Sequence, residues 1–583
     1  MKRIQTFRLA SRGRNRKPSR LGRMDRRNST DGQSINHTAF HKDVSVIFPA
    51  RNEAHVIAPL VRRLRQWSAV REVIVVANGC SDQTAQRARL AGARILEFAH
   101  PLGHDCGRAI GAAVAKGKIL LFLDADISWQ VDELRAYVRR VRQGADIALN
   151  AYPSPHSPLY HHPTAVAKRT LNLVCGRPDL GAASLTAVPH AMRRSALTVV
   201  GIPNLAIPPL AQAKALTRDL RVVTATWINL YRRNRRQPMA TTRETAHLIL
   251  GDHVEALAWV MGQQDSPRGE FSDWRKRDML EESPNPKDPT EAGVQTLPWE
   301  DTSSSTPLAA VVPACNEAAS LPRVLTELQK LGVAPLMVIS NGSEDETVQV
   351  AESFGAKVVL YKTPLGHDVP RALGAQILRQ GNPFPPGDET STPACTLFVD
   401  GDFSIPAADL RVMTRSVLEE GVDVALNNLS GQHRDPVSTM KAFLNLTLGR
   451  PDLGSASLTA VPHALSQRAL DCLPIEDLAV PPKALVRAVA LGLQVRAVHR
   501  VDVVSPNRFR PRWHSRRYGA PLTRMIVGDH LEALALWIQL KGPRGGFLQN
   551  RKLDEMNAFL NHSSSMRQSK QVSPTIQQEV NQS

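Results

Sequence analysis

Two places in the chain set carboxylates where they could hold a divalent cation. Leu397-Phe398-Val399 runs into Asp400-Gly401-Asp402, and Leu121-Phe122-Leu123 runs into Asp124-Ala125-Asp126. A short apolar run ending in two acids one residue apart is how a buried strand delivers oxygen ligands to the edge of a parallel sheet. Mg²⁺ or Mn²⁺ takes such ligands and keeps coordination positions for substrate phosphates. Asp is also favoured in solvated turns where strands end, so the acid pairs acquire meaning only from their surroundings.

Those surroundings recur as well. Pro49 to Glu53 returns as Pro313 to Glu317, each containing Asn-Glu (Asn52-Glu53, Asn316-Glu317). Asn78-Gly79 with Asp82 returns as Asn341-Gly342 with Asp345, and Pro101-Leu102-Gly103-His104-Asp105 is identical to Pro364 through Asp368, followed by Arg108 or Arg371. These elements lie 263 or 264 residues apart, and the acid pairs 276 apart, so about 13 residues around Asn382–Thr392 are inserted in the second copy, as expected of a surface loop. Gly176–Ala191 matches Gly449–Ala464 except for Ala182, which is Ser455. Gly251-Asp252-His253 and Gly528-Asp529-His530 are each read as opening an amphipathic helix.

The elements that must position these residues follow from periodicity. Val44–Phe48, Glu72–Val76, Arg94–Phe98 and Ile119–Leu123 read as strands separated by helical patterns, a doubly wound α/β arrangement. Ligands in such sheets bind beyond the carboxyl ends of the strands, where Asn52, Asn78, His104 and Asp124 all fall. The expected organisation is a basic tail over 1–42, one α/β domain over 43–262, a Pro-, Ser- and charge-rich linker over 263–307, a second domain over 308–550 and a disordered tail over 551–583.

Charge and composition narrow the class. Of the formal +19, residues 1–27 carry +10, so about half the basic character belongs to a tail that suits anionic lipid or another polyanion. No nucleic-acid recognition motif accompanies it, and no specific nucleic-acid partner is expected. The first apolar run follows about forty polar residues, which is unlike a signal peptide. No run approaches the roughly 18 apolar residues of a membrane span. The reading is a cytoplasmic protein whose tail offers contact with the inner face of the membrane. A Gly-x-Gly-x-x-Gly after the first strand and a Gly-Lys-Ser phosphate loop are both missing, which removes the dinucleotide and P-loop readings.

In the order and spacing of these motifs, each copy resembles the family 2 glycosyltransferases of GT-A fold over about 220 residues. The resemblance implies two tandem GT-A domains with mostly parallel central sheets, and transfer of a sugar from a nucleotide-diphosphate donor to an acceptor that the residues leave unidentified. A glycan, a lipid-linked or a small-molecule acceptor in cell-envelope or surface-polysaccharide synthesis is expected. It makes Pro313, Asn316, Glu317, Asn341, Asp345, His367 and Arg371 the donor pocket of the second copy, with Asn52, Glu53, Asn78, Asp82 and Arg108 as first-copy counterparts. Asp400 and Asp402, and Asp124 and Asp126, would hold Mg²⁺ or Mn²⁺, with His514 as a late ligand beside Arg510, Arg512 and Trp513. The turn holding Asn341 departs from the family's usual Asp-Asp-Gly-Ser form, which leaves the nucleotide open.

The resemblance also places a carboxylate base after the second Ala-Val-Pro-His-Ala element, at Asp477 beside Glu476. Aligning Pro208-Pro209 with Pro481-Pro482 puts Asn204 at the position of Asp477, so the expectation is a catalytic second domain and a weakened or purely binding first one. The alternative is a nucleotide-sugar-binding scaffold in which both copies have lost turnover.

Overall fold

The computed structural model of the chain describes residues 42–153, 158–230, 239–271, 273–280, 294–296, 307–379, 393–429, 431, 435–503, 505 and 520–571. Its first sheet contains β1 (Val44–Ala50), β2 (Val70–Asn78), β3 (Arg94–Phe98), β4 (Ile119–Phe122), β5 (Ile147–Leu149), β6 (His190–Arg193) and β7 (Val222–Thr224). Their order is β3-β2-β1-β4-β6-β5-β7, with β6 antiparallel to β4 and β5 and the remaining pairings parallel.

The second sheet contains β8 (Val294–Thr296), β9 (Leu308–Ala314), β10 (Leu336–Asn341), β11 (Lys357–Tyr361), β12 (Cys395–Phe398), β13 (Val424–Asn427), β14 (His463–Ser466) and β15 (Val495–His499). The order β15-β13-β14-β12-β9-β10-β11-β8 repeats that of the first sheet and adds β8 antiparallel to β11. The central strands β1 and β9 are almost wholly buried because helices cover both faces, which is why they read as continuous rather than alternating apolar runs.

Four helices join the halves: Pro163–Val174 and Met239–Met261 from the first, Pro436–Thr447 and Pro521–Lys541 from the second. Val166, Leu171, Val254 and Leu257 share one apolar cluster with Met440, Phe443, Leu531 and Leu534. Gly251-Asp252-His253 and Gly528-Asp529-His530 lie inside the two long helices rather than at their starts. Asp252 and Asp529 are buried, so these helices are not amphipathic surface helices. They meet protein on nearly every side.

The described parts of the two segments read from composition as linker (263–307) and tail (551–583) include packed residues. In the supposed linker, Arg268 and Arg275 are buried against the second half, and Leu280 belongs to its core. In the supposed tail, the helix Leu553–Gln571 lies on the first half, where Met556 and Leu560 join its core and Phe559 meets Phe98 edge to face at 5.5 Å. Composition misled because both segments are polar on average, while buried ion pairs hold the first and a narrow apolar stripe docks the second. The insertion around Asn382–Thr392 lies outside the described residues. Among the described residues no helix is long and apolar enough to cross a membrane.

Because Phe443 fills a core to which both halves contribute, Phe443→Ala is expected to cost about 3–5 kcal/mol. Urea unfolding of the full chain should show one transition, moved to lower denaturant, with the tryptophan signals of both halves changing together.

Candidate active site

At the carboxyl edge of the second sheet an open cleft of about 140 Å³ is lined by Pro313, Cys315, Glu317, Asn341, His367, Asp368, Arg371, Asp400 and Asp402, with Leu522 at its rim. Each strand end contributes for a local reason. Pro313 is the last residue but one of β9, and the turn beyond Ala314 requires Asn316 in the left-handed region at φ 57°, which Asn tolerates better than most residues. Asn341 closes β10, and Asp400 and Asp402 follow β12. Pro313, Glu317, Asn341, His367, Arg371, Asp400 and Asp402 are thus brought together as expected of a crevice at that edge.

Several of these side chains hold the cleft's loops. Asn341 accepts from the Leu365 amide at 2.6 Å and donates to the Gly366 carbonyl at 3.3 Å, tying the Asn-Gly turn to the His-Asp loop. Gly342 has φ +71°, and a Cβ there would lie 2.6 Å from Pro364, so the turn admits only glycine at that contact. Asn316 accepts from the Glu344 amide at 2.7 Å. Asp345 accepts from the amides of Ala318 at 3.1 Å and Thr347 at 3.0 Å. Desolvation works to raise the Asp345 carboxyl, but the bonds from Thr347 and Ala318 outweigh it and hold it below the usual carboxylate value. Asn316 and Asp345 therefore clip the β9 loop to the β10 loop and are not part of the lining. In the first half Asn52 accepts from the Ser81 amide at 2.8 Å, Asp82 accepts from Ala54 and Thr84, and Asn78 bridges Leu102 and Gly103. Glu53 donates its amide to Thr84 Oγ1 at 2.7 Å, as Glu317 does to Thr347 Oγ1 at 2.8 Å.

The acid pair sits over a buried arginine. Arg371 donates to Asp400 and to Asp368. Burial opposes the Arg371 charge, but the two carboxylates more than offset it and keep the guanidinium ionised. Arg108 repeats this with Asp105 at 3.1 Å and Asp124 at 3.4 Å. The donor set suits Mg²⁺ or Mn²⁺, which are commonly held by one or two carboxylates plus substrate phosphates. Asp400 and Asp402, and Asp124 and Asp126, are the residues that would hold it. His514, with Arg510, Arg512 and Trp513, lies outside the described residues. Among the described residues the cluster of three ligating side chains is elsewhere, at Asp273, Asp529 and Glu532, and arginines already fill it.

Asp477 is not in the cleft. Its carboxylate is buried between Lys483 Nζ at 2.9 Å and Arg487 Nε at 3.1 Å, out of reach of an acceptor hydroxyl. Glu476 beside it is exposed. In the first half Asn204 donates to the Val200 carbonyl at 2.6 Å, and the Lys483 position is Leu210. The Arg487 position keeps a basic residue, Lys214, so the acid and one of its two basic partners are present together in the second half and absent together in the first. A structural ion pair explains that asymmetry without any loss of catalysis, so the base assignment and the contrast drawn from it are corrected here.

Lys441, and Lys168 at the same position in the first half, escaped the sequence reading; their recurrence 273 residues apart was the available signal. Both are buried within the interface helices, and neither pairs with a described carboxylate. Burial pushes Lys441 down to about 8, with Asp435 and Asp368 pulling weakly the other way. His463, stacked on Phe398 at 4.9 Å, is pushed down to about 3 by burial and is a neutral structural imidazole.

Comparison with known proteins adds partial likenesses. Residues 45–172, from β1 into the helix Pro163–Val174, match the model of Glycosyl transferase family 2. The 4,4'-diaponeurosporenoate glycosyltransferase of Staphylococcus haemolyticus is 29% identical over 131 residues, which are 21% of this chain and 35% of that protein. The Staphylococcus aureus protein of the same name is 29% identical over 112 residues, 18% of this chain and 29% of its own. The chain therefore spans about a third of the length of these relatives. Among solved structures, glucosyl-3-phosphoglycerate synthase from Mycobacterium tuberculosis, in complex with Mn²⁺, UDP-glucose and phosphoglyceric acid, is 20% identical with a TM-score of 0.31, covering 39% of this chain and 85% of that one. Mannosyl-3-phosphoglycerate synthase from Rubrobacter xylanophilus is 19% identical with a TM-score of 0.31, covering 38% and 74%.

The buried lysines make a testable pH signature. The Lys441 ammonium is favoured less in the folded protein than in the unfolded chain, so the fold bears the full penalty below pH 8 and loses it as pH rises toward 10.5. Lys441→Met is expected to stabilise by about 2 kcal/mol at pH 7. The gain, read as the difference from wild type in urea unfolding, should shrink steadily between pH 8 and 10.5.

Proposed function

We propose that the chain is a glycosyltransferase in which two GT-A halves are fused, each cleft taking a nucleotide-diphosphate sugar for transfer to an acceptor hydroxyl. The observation that carries this reading is the convergence, twice, of an acid pair, a His-Asp loop and strand-end Asn-Glu and Asn-Gly turns on one sheet edge. The family match in the first half and the glycosyltransferase relatives support it. The acceptor would be a glycan, a lipid-linked or a small molecule of cell-envelope or surface-glycoconjugate synthesis, and the basic tail over 1–27 would give contact with an anionic membrane.

In this reading Asp400 and Asp402, and Asp124 and Asp126, hold Mg²⁺ or Mn²⁺, which when bound neutralises the departing diphosphate. Arg371 and Arg108 orient the first acid of each pair through the ion pairs above. Pro313 and Glu317 shape the donor side of the second cleft, and His367 faces the space between the loops and the acid pair. No step passes through Asp477, so Asn204 in its place does not by itself set the first half apart from the second.

A screen of nucleotide sugars by thermal shift on the full chain, with Mn²⁺ or Mg²⁺ and with chelator, tests the reading. A donor at about 100 times its Kd stabilises by about 2.7 kcal/mol per site. Asp402→Ala and Asp126→Ala should each remove the cation-dependent shift of one half, and the double variant all of it. A donor shift that is the same in chelator as in Mn²⁺ would take the cation out of the mechanism.

A further inference from the structure

The segments following the two long interface helices share a pattern: Pro267-Arg268-Gly269, Phe271 and Arg275-Lys276 return as Pro543-Arg544-Gly545, Phe547 and Arg551-Lys552. Each of these arms lies on the opposite half. From the first half, Arg268 reaches Asp529 at 2.6 Å and Glu532 at 2.7 Å, and Arg275 reaches Asp529 at 3.1 Å. From the second half, Arg544 reaches Asp252 at 2.9 Å and Arg551 reaches it at 2.6 Å.

Beyond these anchors each arm touches the other half's His-Asp loop. The Lys276 amide donates to the Leu365 carbonyl at 2.9 Å, and the Lys552 amide donates to the Leu102 carbonyl at 2.9 Å. Gly366 and Gly103, at φ +95° and +96°, leave room for this contact. A Cβ would lie 2.7 Å from Arg275 Cγ in one loop and 3.0 Å from Arg551 Cα in the other. Trp274 also meets His367 edge to face at 5.8 Å. The arginines then face the loop's aspartate: Arg275 lies 3.7 Å from Asp368, and Arg551 lies 3.5 Å from Asp105. Both aspartates hold left-handed backbone, φ 66° and 63°, a conformation that persists where surrounding contacts enforce it. From there the alternation of charge continues to the acid pair, Asp368 to Arg371 to Asp400 and Asp105 to Arg108 to Asp124.

We propose that the arms complete the clefts reciprocally: Arg275, carried by the first half, is a positioning residue for the His-Asp loop and acid pair of the second cleft, and Arg551, carried by the second half, is the same for the first. Neither cleft is fully assembled by its own half. The cation part of this inference rests on the reading in the preceding subsection, whereas the hold of each arm on the opposite loop does not.

The test uses the full chain and two readouts. Hydrogen exchange is followed at amides 365–372 and 102–109, and Mn²⁺ alone is titrated by electron paramagnetic resonance. Arg275→Met is expected to speed exchange over 365–372 and weaken one Mn²⁺ site by about 10- to 100-fold, the usual cost of losing an outer partner of a metal ligand, while 102–109 exchanges as in wild type. Arg551→Met should give the mirror image. Arg275→Lys, which keeps the charge but not the fork spanning Asp529 and Asp368, should fall between wild type and Arg275→Met, and it carries the comparison if the methionine variant does not fold. Wild-type exchange over 365–372 in the folded variants, or equal loosening of both loops by either substitution, overturns the proposal. If wild type binds no Mn²⁺, the cation reading fails, and the exchange data still decide whether the arms act reciprocally.

Discussion

The structure depends on two buried carboxylates, Asp252 and Asp529, each set inside an interface helix and each gripped by two arginines from the arm of the other half. Taking an acid out of water costs several kcal/mol unless partners and hydrogen bonds replace the water. Burial pushes Asp529 up to about 6 even with Arg275 and Arg268 opposing it. The arms are therefore not ornaments on a finished domain: without them each half would carry an uncompensated acid in its core.

With that constraint go the joint helical core and the placing of the His-Asp loops. The helices that carry Asp252 and Asp529 pack against Pro163–Val174 and Pro436–Thr447, merging apolar side chains of both halves into one cluster. The arms run from this core to the His-Asp loops, and the loops meet the Asn-Gly turns through Asn78 and Asn341. Packing at the centre thus fixes polar loops at two separate sheet edges, and the acid pairs lie at the end of each chain of contacts.

The contrast between Asp477 and Asn204 shows why residue type at one position is a weak guide to chemistry. A carboxylate near a proline-started helix fits a general base as well as it fits an ion pair. The choice is made by Lys483 and Arg487, which arrive from the next turns of chain and enclose the acid. The repeat held only half of this information, since Leu210 stands where Lys483 does but Lys214 stands where Arg487 does, and the enclosure of the acid became readable only once the side chains were seen in contact.

What the sequence determined by itself was whatever depends on local spacing. The apolar runs became β1 to β4 within a residue or two, because strand formation reads side-chain pattern and buried backbone must pair. The repeated motifs reached the carboxyl edge of a mostly parallel sheet because parallel strands release their loops there. Tertiary structure alone decided which polar residues are solvated and which are buried in pairs, a question of contacts about 250 to 300 residues apart. Composition assigned 263–307 and 551–583 to solvent because charged residues, proline, serine and glutamine are usually found there. Arg268, Arg275 and Arg551 are instead buried because each meets an acid that only the other half provides.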